Sequence, residues 1–267
     1  MERYLRVFNL AFRVFGMAGQ SPVLLAPIAA NIVIAAPFML GCALALNAVE
    51  SSAAAYTVLA VGITLLYFID YFCNAVTASL IYDQVSAGKP DVGAALQRTR
   101  RVLGGIAIFA AISAAFDLLQ AYASERNDIV AKIATRVLYA LWTTATYVVM
   151  PAMVLEGLSF AAAFSRSKEL ASNDPTNVGI GAVAIGVVNY ALGAAVFYVA
   201  HRLHIALSGS APILGAMLFY SVVNVYWALS GYLKITYFTC FYLWARDCER
   251  SQSASPSLAP GPLAAVL

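Results

Sequence analysis

The chain has 267 residues, of which 62% are hydrophobic and 11% are charged, and its formal net charge is +3. Soluble domains contain about 45–50% apolar and about 25% charged residues. This composition therefore excludes a soluble globular protein, because only lipid can solvate so much apolar surface. We expect an all-α, polytopic membrane helix bundle with additional interfacial amphipathic helices.

The first predicted element, residues 1–20, is an amphipathic helix lying in the cytoplasmic membrane interface. Apolar side chains recur at helical spacing and arginines are interspersed among them. This pattern is typical of a helix whose aromatic side lies in lipid while its arginines contact the headgroups. The pattern comprises Leu5, Phe8, Phe12 and Phe15, with Arg3, Arg6 and Arg13.

A transmembrane domain over residues 21–250 follows, with six long apolar segments. Each is near or above the roughly 20 residues that a spanning helix needs. The second and sixth are too long for an upright span, so they must tilt, break or protrude. The tail, residues 251–267, is rich in Ser, Pro and Ala, which predicts a disordered cytoplasmic extension. The predicted spans are Val23–Val49, Ala53–Tyr82, Val102–Tyr122, Val137–Leu155, Val178–Ala200 and Ala211–Ala245.

The distribution of lysine and arginine predicts the orientation of these spans. If the N-terminus is cytoplasmic, most basic residues outside the spans are also cytoplasmic, as the positive-inside rule requires. We therefore expect a multi-pass protein of the cell inner (cytoplasmic) membrane with both termini in the cytoplasm. The cytoplasmic set is Arg3, Arg6, Arg13, Lys89, Arg98, Arg100, Arg101, Arg166, Lys168, Arg246 and Arg250, and the external set is Arg126, Lys132, Arg136 and Arg202.

A short basic helix before each odd-numbered span indicates an internal repeat. Residues 94–100 precede the third span, residues 162–168 precede the fifth, and a looser version at residues 10–13 precedes the first. The predicted unit is one interfacial helix followed by two spans, used three times in parallel about a pseudo-threefold axis. The three interfacial helices would be Arg3–Phe15, Val92–Arg100 and Phe160–Leu170. Chance similarity among Ala- and Arg-rich helices is the alternative explanation.

Two charged residues, Asp70 and Lys234, lie deep within predicted spans. Asp70 is 13 residues before Asp83, and Lys234 is 12 residues before Arg246. At 1.5 Å per residue both lie roughly 18–20 Å from the cytoplasmic boundary. Charges at such depth usually face a partner or a water-filled cavity. We expect them to face the bundle interior as an intramembrane polar pair, within salt-bridge or single-water distance. The pair would serve either as a structural ion pair or as a transport or lipid-headgroup site. The alternative is that the two groups do not contact each other and each find a separate partner.

Prolines and glycines mark further positions within the spans. Pro37 and Pro151 each remove a backbone hydrogen bond, so we expect helix kinks there. Gly179, Gly186 and Gly193 recur every seven residues along the fifth span. Such a smooth stripe lets another helix backbone approach closely. The partner helix would belong either to the same subunit or to a neighbouring subunit of an oligomer.

The region around the end of the fourth span is the most distinctive part of the sequence. It contains an aromatic-Val-Val-x-Pro run, then an acidic residue and glycine, then a basic helix carrying Arg-Ser. This resembles an uncharacterised prokaryotic family of six-span integral membrane proteins, a domain of unknown function. The resemblance implies the six-span fold and supplies no activity. The matching residues are Tyr147, Pro151, Glu156, Gly157, Arg166 and Ser167, with Val148 and Val149 between the first two.

The sequence offers no catalytic or metal-binding constellation. It lacks the phosphate-binding loop, the zinc-protease motif and the serine-hydrolase elbow. His201 and His204 are the only histidines, and two ligands do not make a metal site. The four cysteines form no Cys-x-x-Cys pair. We therefore expect no enzyme activity, no metal and no cofactor.

The function that these features favour is a non-catalytic membrane protein that binds or shuttles lipid or another amphiphile. The alternative is a scaffold or accessory subunit of a larger membrane complex. The expected partners are membrane lipids, including anionic headgroups, and either a homo-oligomer or that larger complex. Nucleic acid is not expected, because each basic helix carries only two or three basic residues and suits lipid heads better.

Overall fold

The computed structural model describes residues 13–125, 148–173 and 175–251, together with residues 133–135, 138, 139, 142 and 146. Within these residues the regular structure is helical and there is no β-strand. This confirms the all-α class. Predictions that concern residues 1–12, including most of the first interfacial helix, lie outside the described residues, as do those for residues 252–267.

The helices follow one another with short connections. Residues 13–20 form α1, and a 3₁₀ turn at Pro22–Leu25 leads into the first long helix. The remaining helices are α2 (Ala26–Ala48), α3 (Ser52–Ala87), α4 (Val92–Arg101), α5 (Leu103–Glu125), α6 (Val149–Glu156), α7 (Phe160–Asn173), α8 (Pro175–Ser208) and α9 (Pro212–Ser251).

Among the described helices, five are long and apolar enough to cross a bilayer: α2, α3, α5, α8 and α9. They correspond to the first, second, third, fifth and sixth predicted spans, so the protein is a membrane helix bundle. The fourth predicted span, Val137–Leu155, lies largely outside the described residues, and only its final part is seen, as α6. Helices α3 and α9 would be roughly 54 and 60 Å long. They exceed the roughly 30 Å hydrocarbon core, as their sequence lengths predicted.

Glycine and aspartate define the ends of several helices. α3 ends at Gly88, whose φ of 68° is left-handed and whose N–H donates to the Gln84 carbonyl at 3.1 Å. Asp91 then caps α4, because its carboxylate accepts a hydrogen bond from the Ala94 N–H at 3.1 Å. α6 also ends at a left-handed glycine, Gly157, with φ of 68°. Left-handed glycine caps of this kind are a common way of ending a helix, and here they allow sharp turns into α4 and α7.

The core lies around α3, which packs against α2, α4, α5, α6 and α9. α6 is short yet almost wholly buried, from Val149 to Val154. The largest fully buried side chains are on the second half of α9, namely Tyr232, Tyr237, Phe238, Phe241 and Tyr242. The tightest packing is therefore toward one end of the bundle. We call this the basic end, defined by α4, α7 and the last turns of α3 and α9.

Charge pairs connect the helices of the basic end. Arg98 on α4 bonds both carboxylate oxygens of Asp83 on α3, at 2.9 and 3.0 Å, and donates to the Ser79 hydroxyl at 2.6 Å. The guanidinium groups of Arg98 and Arg246 lie over the ring of Tyr82, with their Cζ atoms 5.4 and 5.8 Å from the ring centre. Cation–π contacts of this geometry add to the ion pair. α4 is thereby fastened to α3.

A second ion-pair group joins α7 to the end of α9. Arg166 contacts Glu169 at 3.1 Å and also pairs with Glu249. The Glu249 carboxylate is the main reason that the pKa of Arg166 is raised above its usual value. The three groups are partly exposed, so this contact orients α7 more than it stabilises the fold.

The two later helices that the sequence predicts to be interfacial agree closely with their predicted bounds. α4 spans Val92–Arg101 where Val92–Arg100 was predicted, and α7 spans Phe160–Asn173 where Phe160–Leu170 was predicted. The pseudo-threefold relation, and the domain boundaries at residues 20 and 250, stay predictions.

Candidate functional site

A cavity of about 230 Å³ lies inside the bundle, and we call it the lysine cavity. It is walled by α3, α5, α6 and α9 together with three residues from the partly described stretch between α5 and α6. Both intramembrane charges predicted from the sequence, Asp70 and Lys234, face it. Its lining comprises Tyr67, Asp70, Tyr71, Asn74, Phe109, Ser113, Tyr139, Trp142, Thr146, Met150, Tyr226, Trp227, Ser230, Gly231, Lys234, Ile235 and Phe238.

Asp70 is held by two amide groups. Its Oδ1 accepts a hydrogen bond from Asn31 Nδ2 on α2 at 2.9 Å, and its Oδ2 accepts one from Asn74 Nδ2 at 2.9 Å. The side chain is 8% exposed. A carboxylate has about four acceptor positions, and the Trp227 side chain is a third donor to Asp70, so part of this acceptor capacity stays open. The two amides therefore fix the orientation of the carboxylate while leaving it able to bind.

Lys234 faces Asp70 without touching it. Within the described part of the chain, no oxygen of Asp70 lies within 4.0 Å of the Lys234 ammonium, although the two charges interact electrostatically. Across the same residues, Lys234 makes no hydrogen bond or ion pair. The structure thus brings the predicted pair to one cavity and keeps the two groups apart.

Gly231 lets α9 approach α3 at this point. A Cβ atom at Gly231 would lie 3.1 Å from Asn74 Oδ1. That distance is shorter than an ordinary van der Waals contact, so a side chain at position 231 would press against the amide that donates to Asp70. The Gly-x-x-Lys spacing on α9 therefore combines a close helix contact with the ammonium one turn later.

Aromatic rings form the rest of the wall. Tyr71 stacks on Phe109 with ring centres 4.3 Å apart, and its hydroxyl donates to Ser113 Oγ at 2.8 Å. Trp142 Nε1 donates to the same oxygen at 3.3 Å. These rings give the cavity an apolar surface with a few fixed polar groups, as is usual for small-molecule sites.

A second cavity, of about 180 Å³, adjoins the first, and we call it the apolar cavity. The two share Tyr67, Asp70 and Trp227, which form the partition between them. On each of α3, α5 and α9 the apolar cavity is lined by residues farther from the basic end. The cavities are therefore stacked along the bundle axis. The residues found only in the apolar cavity are Asn31, Ala35, Met39, Ile63, Leu66, Asp117, Val223 and Asn224.

Sequence reasoning missed three residues of this region: Asn31, Asn74 and Asp117. Asp117 accepts a hydrogen bond from the Tyr67 hydroxyl across the partition. It lies 14 residues into α5 and is surrounded in sequence by apolar residues, so the depth argument applied to Asp70 would also have found it. The sequence gives no comparable indication for Asn31 and Asn74, because an uncharged amide within a span is common and does not by itself indicate a site.

The predicted kink positions have different surroundings. Pro37 lies inside α2, which is helical from Ala26 to Ala48. Pro151 lies in the first turn of α6, where a missing N–H costs no helical hydrogen bond. A kink of the whole fourth span at Pro151 concerns residues largely outside those described.

The distinctive motif forms the junction between α6 and α7. Pro151 is buried, Glu156 ends α6, and Gly157 supplies the left-handed cap. Arg166 makes the ion pair that joins α7 to α9, and Ser167 is fully buried. Tyr147 lies outside the described residues. The motif is therefore a structural joint at the basic end rather than part of the lysine cavity.

The other candidate residues do not converge on the cavity. His201 and His204 fall within α8, which continues to Ser208, and not beyond the end of the span as the sequence suggested. Among the described residues, no three His, Cys, Asp or Glu side chains are grouped as metal ligands. Gly193 lies against Tyr226 of α9, so part of the glycine stripe packs inside the subunit.

Residues 53–251 match a family of unknown function, DUF6159. The chain belongs to this family. The match covers most of the chain and confirms the resemblance to an uncharacterised family, a domain of unknown function. The matched range of DUF6159 includes Asp70, Lys234 and the α6–α7 joint, whereas Asn31 and the rest of α2 precede it. No curated protein and no solved structure matches this chain.

Proposed function

We propose that this protein is a non-catalytic membrane protein that binds an amphiphile in the lysine cavity, with an anionic head against Lys234. The observation that carries the proposal is an ammonium group deep in the bundle that faces a cavity without a hydrogen-bonding or ionic partner in the described structure. A buried charge without compensation is costly. An anionic ligand would supply that compensation, and the aromatic wall would contact its apolar part.

The size of the cavity is consistent with a headgroup rather than a whole lipid. At roughly 30 Å³ per molecule, about 230 Å³ corresponds to about eight waters. A compact head of about ten heavy atoms fits such a volume. The chains of a membrane lipid would have to lie outside this cavity, between the helices or in the apolar cavity.

The basic end supports an additional contact with anionic lipid at the membrane surface. Arg98 is paired with Asp83, and Arg166 is paired with Glu249, whereas Arg100, Arg101 and Lys168 are exposed. We propose that this end faces the cytoplasm of the inner membrane, as the positive-inside rule predicts.

Lipid that co-purifies with the protein tests the proposal. Native mass spectrometry of the purified wild type should show a bound anionic or zwitterionic amphiphile. Lys234→Met should lower its occupancy by about tenfold or more, because the compensating charge is gone, whereas Lys234→Arg should retain most of it.

Lys89→Met is the matched control, since Lys89 is an exposed cation in the turn after α3. Equal occupancy in wild type and Lys234→Met would overturn the proposal. A protein that carries no amphiphile but co-purifies with a partner chain would favour the scaffold alternative.

A further inference from the structure

The lysine cavity presents two opposite charges that face the same space and do not pair. Asp70 is turned toward the cavity by Asn31 and Asn74, and Lys234 approaches from α9 without forming a salt bridge within 4.0 Å. If the site took only an anion, Asp70 would repel it. The carboxylate therefore needs a role of its own in the ligand complex.

We infer that the ligand head is zwitterionic, with a phosphate or carboxylate on Lys234 and a primary ammonium on Asp70. This inference rests on the proposed function and names the class of head that the cavity takes. One compact group carrying both charges would compensate Asp70, which is buried, and Lys234, which is partly buried, at once. A purely anionic head would compensate only Lys234 and would bring its charge next to a fixed carboxylate.

Asp70 specifies a primary ammonium through its remaining acceptor positions. The two carboxylate oxygens each accept one amide hydrogen bond, and the Trp227 side chain is a further donor to Asp70, which leaves part of the four acceptor positions open. A primary ammonium offers three N–H donors for those positions, whereas a trimethylated one offers none. Trp227 and Tyr67 stand beside Asp70 in the partition between the two cavities.

The same chemistry occurs on a lipid headgroup and on a free zwitterionic solute. The lipid would place its head in the lysine cavity and keep its chains among the helices. The free solute would need only the polar part of the cavity. The affinities of matched probes with and without an acyl chain separate these two sources.

Tryptophan fluorescence gives a direct measure of binding. Two of the three tryptophans, Trp142 and Trp227, line the cavity. A Trp244→Phe background removes the third. Purified protein in detergent is titrated with lysophosphatidylethanolamine and with its N-acetylated counterpart, which has the same chain and phosphate but no ammonium. Glycerophosphoethanolamine provides the same head without a chain.

In the wild-type cavity, lysophosphatidylethanolamine should bind about tenfold or more tightly than its N-acetylated counterpart. Asp70→Asn should abolish that preference by weakening only the zwitterion. Lys234→Met should weaken both probes, and Glu50→Gln, an exposed acid between α2 and α3, should change neither. If Asp70→Asn does not fold, the ratio of the two probe affinities in the wild type tests the zwitterion inference by itself.

Three other results would count against one or both proposals. Equal affinity for both probes, lost in Lys234→Met, would overturn the zwitterion inference and leave the anionic amphiphile standing. Binding that does not depend on Lys234 would overturn both. Glycerophosphoethanolamine binding as tightly as the lipid would uphold the zwitterion inference and overturn the amphiphile, because the chain would contribute nothing.

Discussion

At the scale of single residues, the charged pair is organised by amides rather than by direct contact. Asn31 and Asn74 each donate to one oxygen of Asp70, and Lys234 remains more than 4.0 Å from the carboxylate. Hydrogen bonds to a charged group contribute about 1.5–3 kcal/mol each. The stability of this region therefore depends on the amides as well as on the attraction between the charges.

Substitution of the two charges should show whether they are coupled. Asp70→Asn and Lys234→Met should each lower the free energy of unfolding by about 1–3 kcal/mol, since each leaves a buried group with an unmet partner. The double variant should recover about 0.5 kcal/mol or more of the summed loss, because no lone charge then remains. Chemical unfolding of the purified variants measures this. The pair Glu50→Gln and Lys89→Met should be additive, and additivity at Asp70 and Lys234 would mean that the charges act independently.

Helical rise alone led to the prediction that Asp70 and Lys234 lie at one depth, and in the structure both line the lysine cavity. The sequence did not predict that the two groups stay apart. That separation depends on the hydrogen bond from Asn31 of α2 to Asp70 and on the absence of a side chain at Gly231, which leaves room for the Asn74 amide. Neither contact has a periodic signal. Asp117 was detectable by the same depth argument, but its partner Tyr67 was not, because a tyrosine in a span is equally typical of plain packing.

At the scale of helices, α4 depends on its attachment to α3. It has only ten residues, too few for an isolated helix to be stable in water. The Asp91 cap satisfies one N–H at its start, and the Arg98–Asp83–Ser79 group holds its end. Its bounds were predictable from the basic amphipathic pattern, whereas the partner of Arg98 was not.

Removal of the Arg98 charge should loosen this attachment. Arg98→Met leaves the buried Asp83 carboxylate without its cation. We expect a loss of about 2 kcal/mol in unfolding free energy, below the value for a fully buried pair because the Arg98 side chain is 29% exposed. Thermal unfolding and protease cleavage within the turn before α4 report the change. Arg100→Met, on the exposed face of the same helix, is the control and should stay near wild type. A loss as large at Arg100 would indicate a general effect of charge.

At the scale of the whole molecule, the order and bounds of most spans followed from hydropathy, because a spanning helix must satisfy its backbone internally over a fixed thickness. The ends of α8 differ most: the helix begins at Pro175 and continues through His201 and His204 to Ser208. Polar residues at a helix end lower the hydropathy without interrupting the helix. The sequence did not predict which helices surround the cavity, because the packing of one span against another produces no simple pattern of residues.

Surface labelling tests the orientation of the bundle. In a background without native cysteines, Ser51→Cys should react with a membrane-impermeant maleimide applied to intact cells, and Ala87→Cys should react only after the cells are opened. Both positions are exposed at opposite ends of α3, so they form a matched pair. External reaction at Ala87 with none at Ser51 would invert the topology.

The placement of two opposite charges on one cavity also determines how the protein responds to membrane voltage. A single elementary charge moved through a potential of 100 mV changes energy by about 2.3 kcal/mol. Asp70 and Lys234 line the same cavity and carry opposite formal charges, so together they add no net charge to the site. A zwitterion entering between them adds no net charge. Loading a zwitterion therefore transfers no net charge into the membrane field, whereas loading a singly charged anion would transfer one elementary charge.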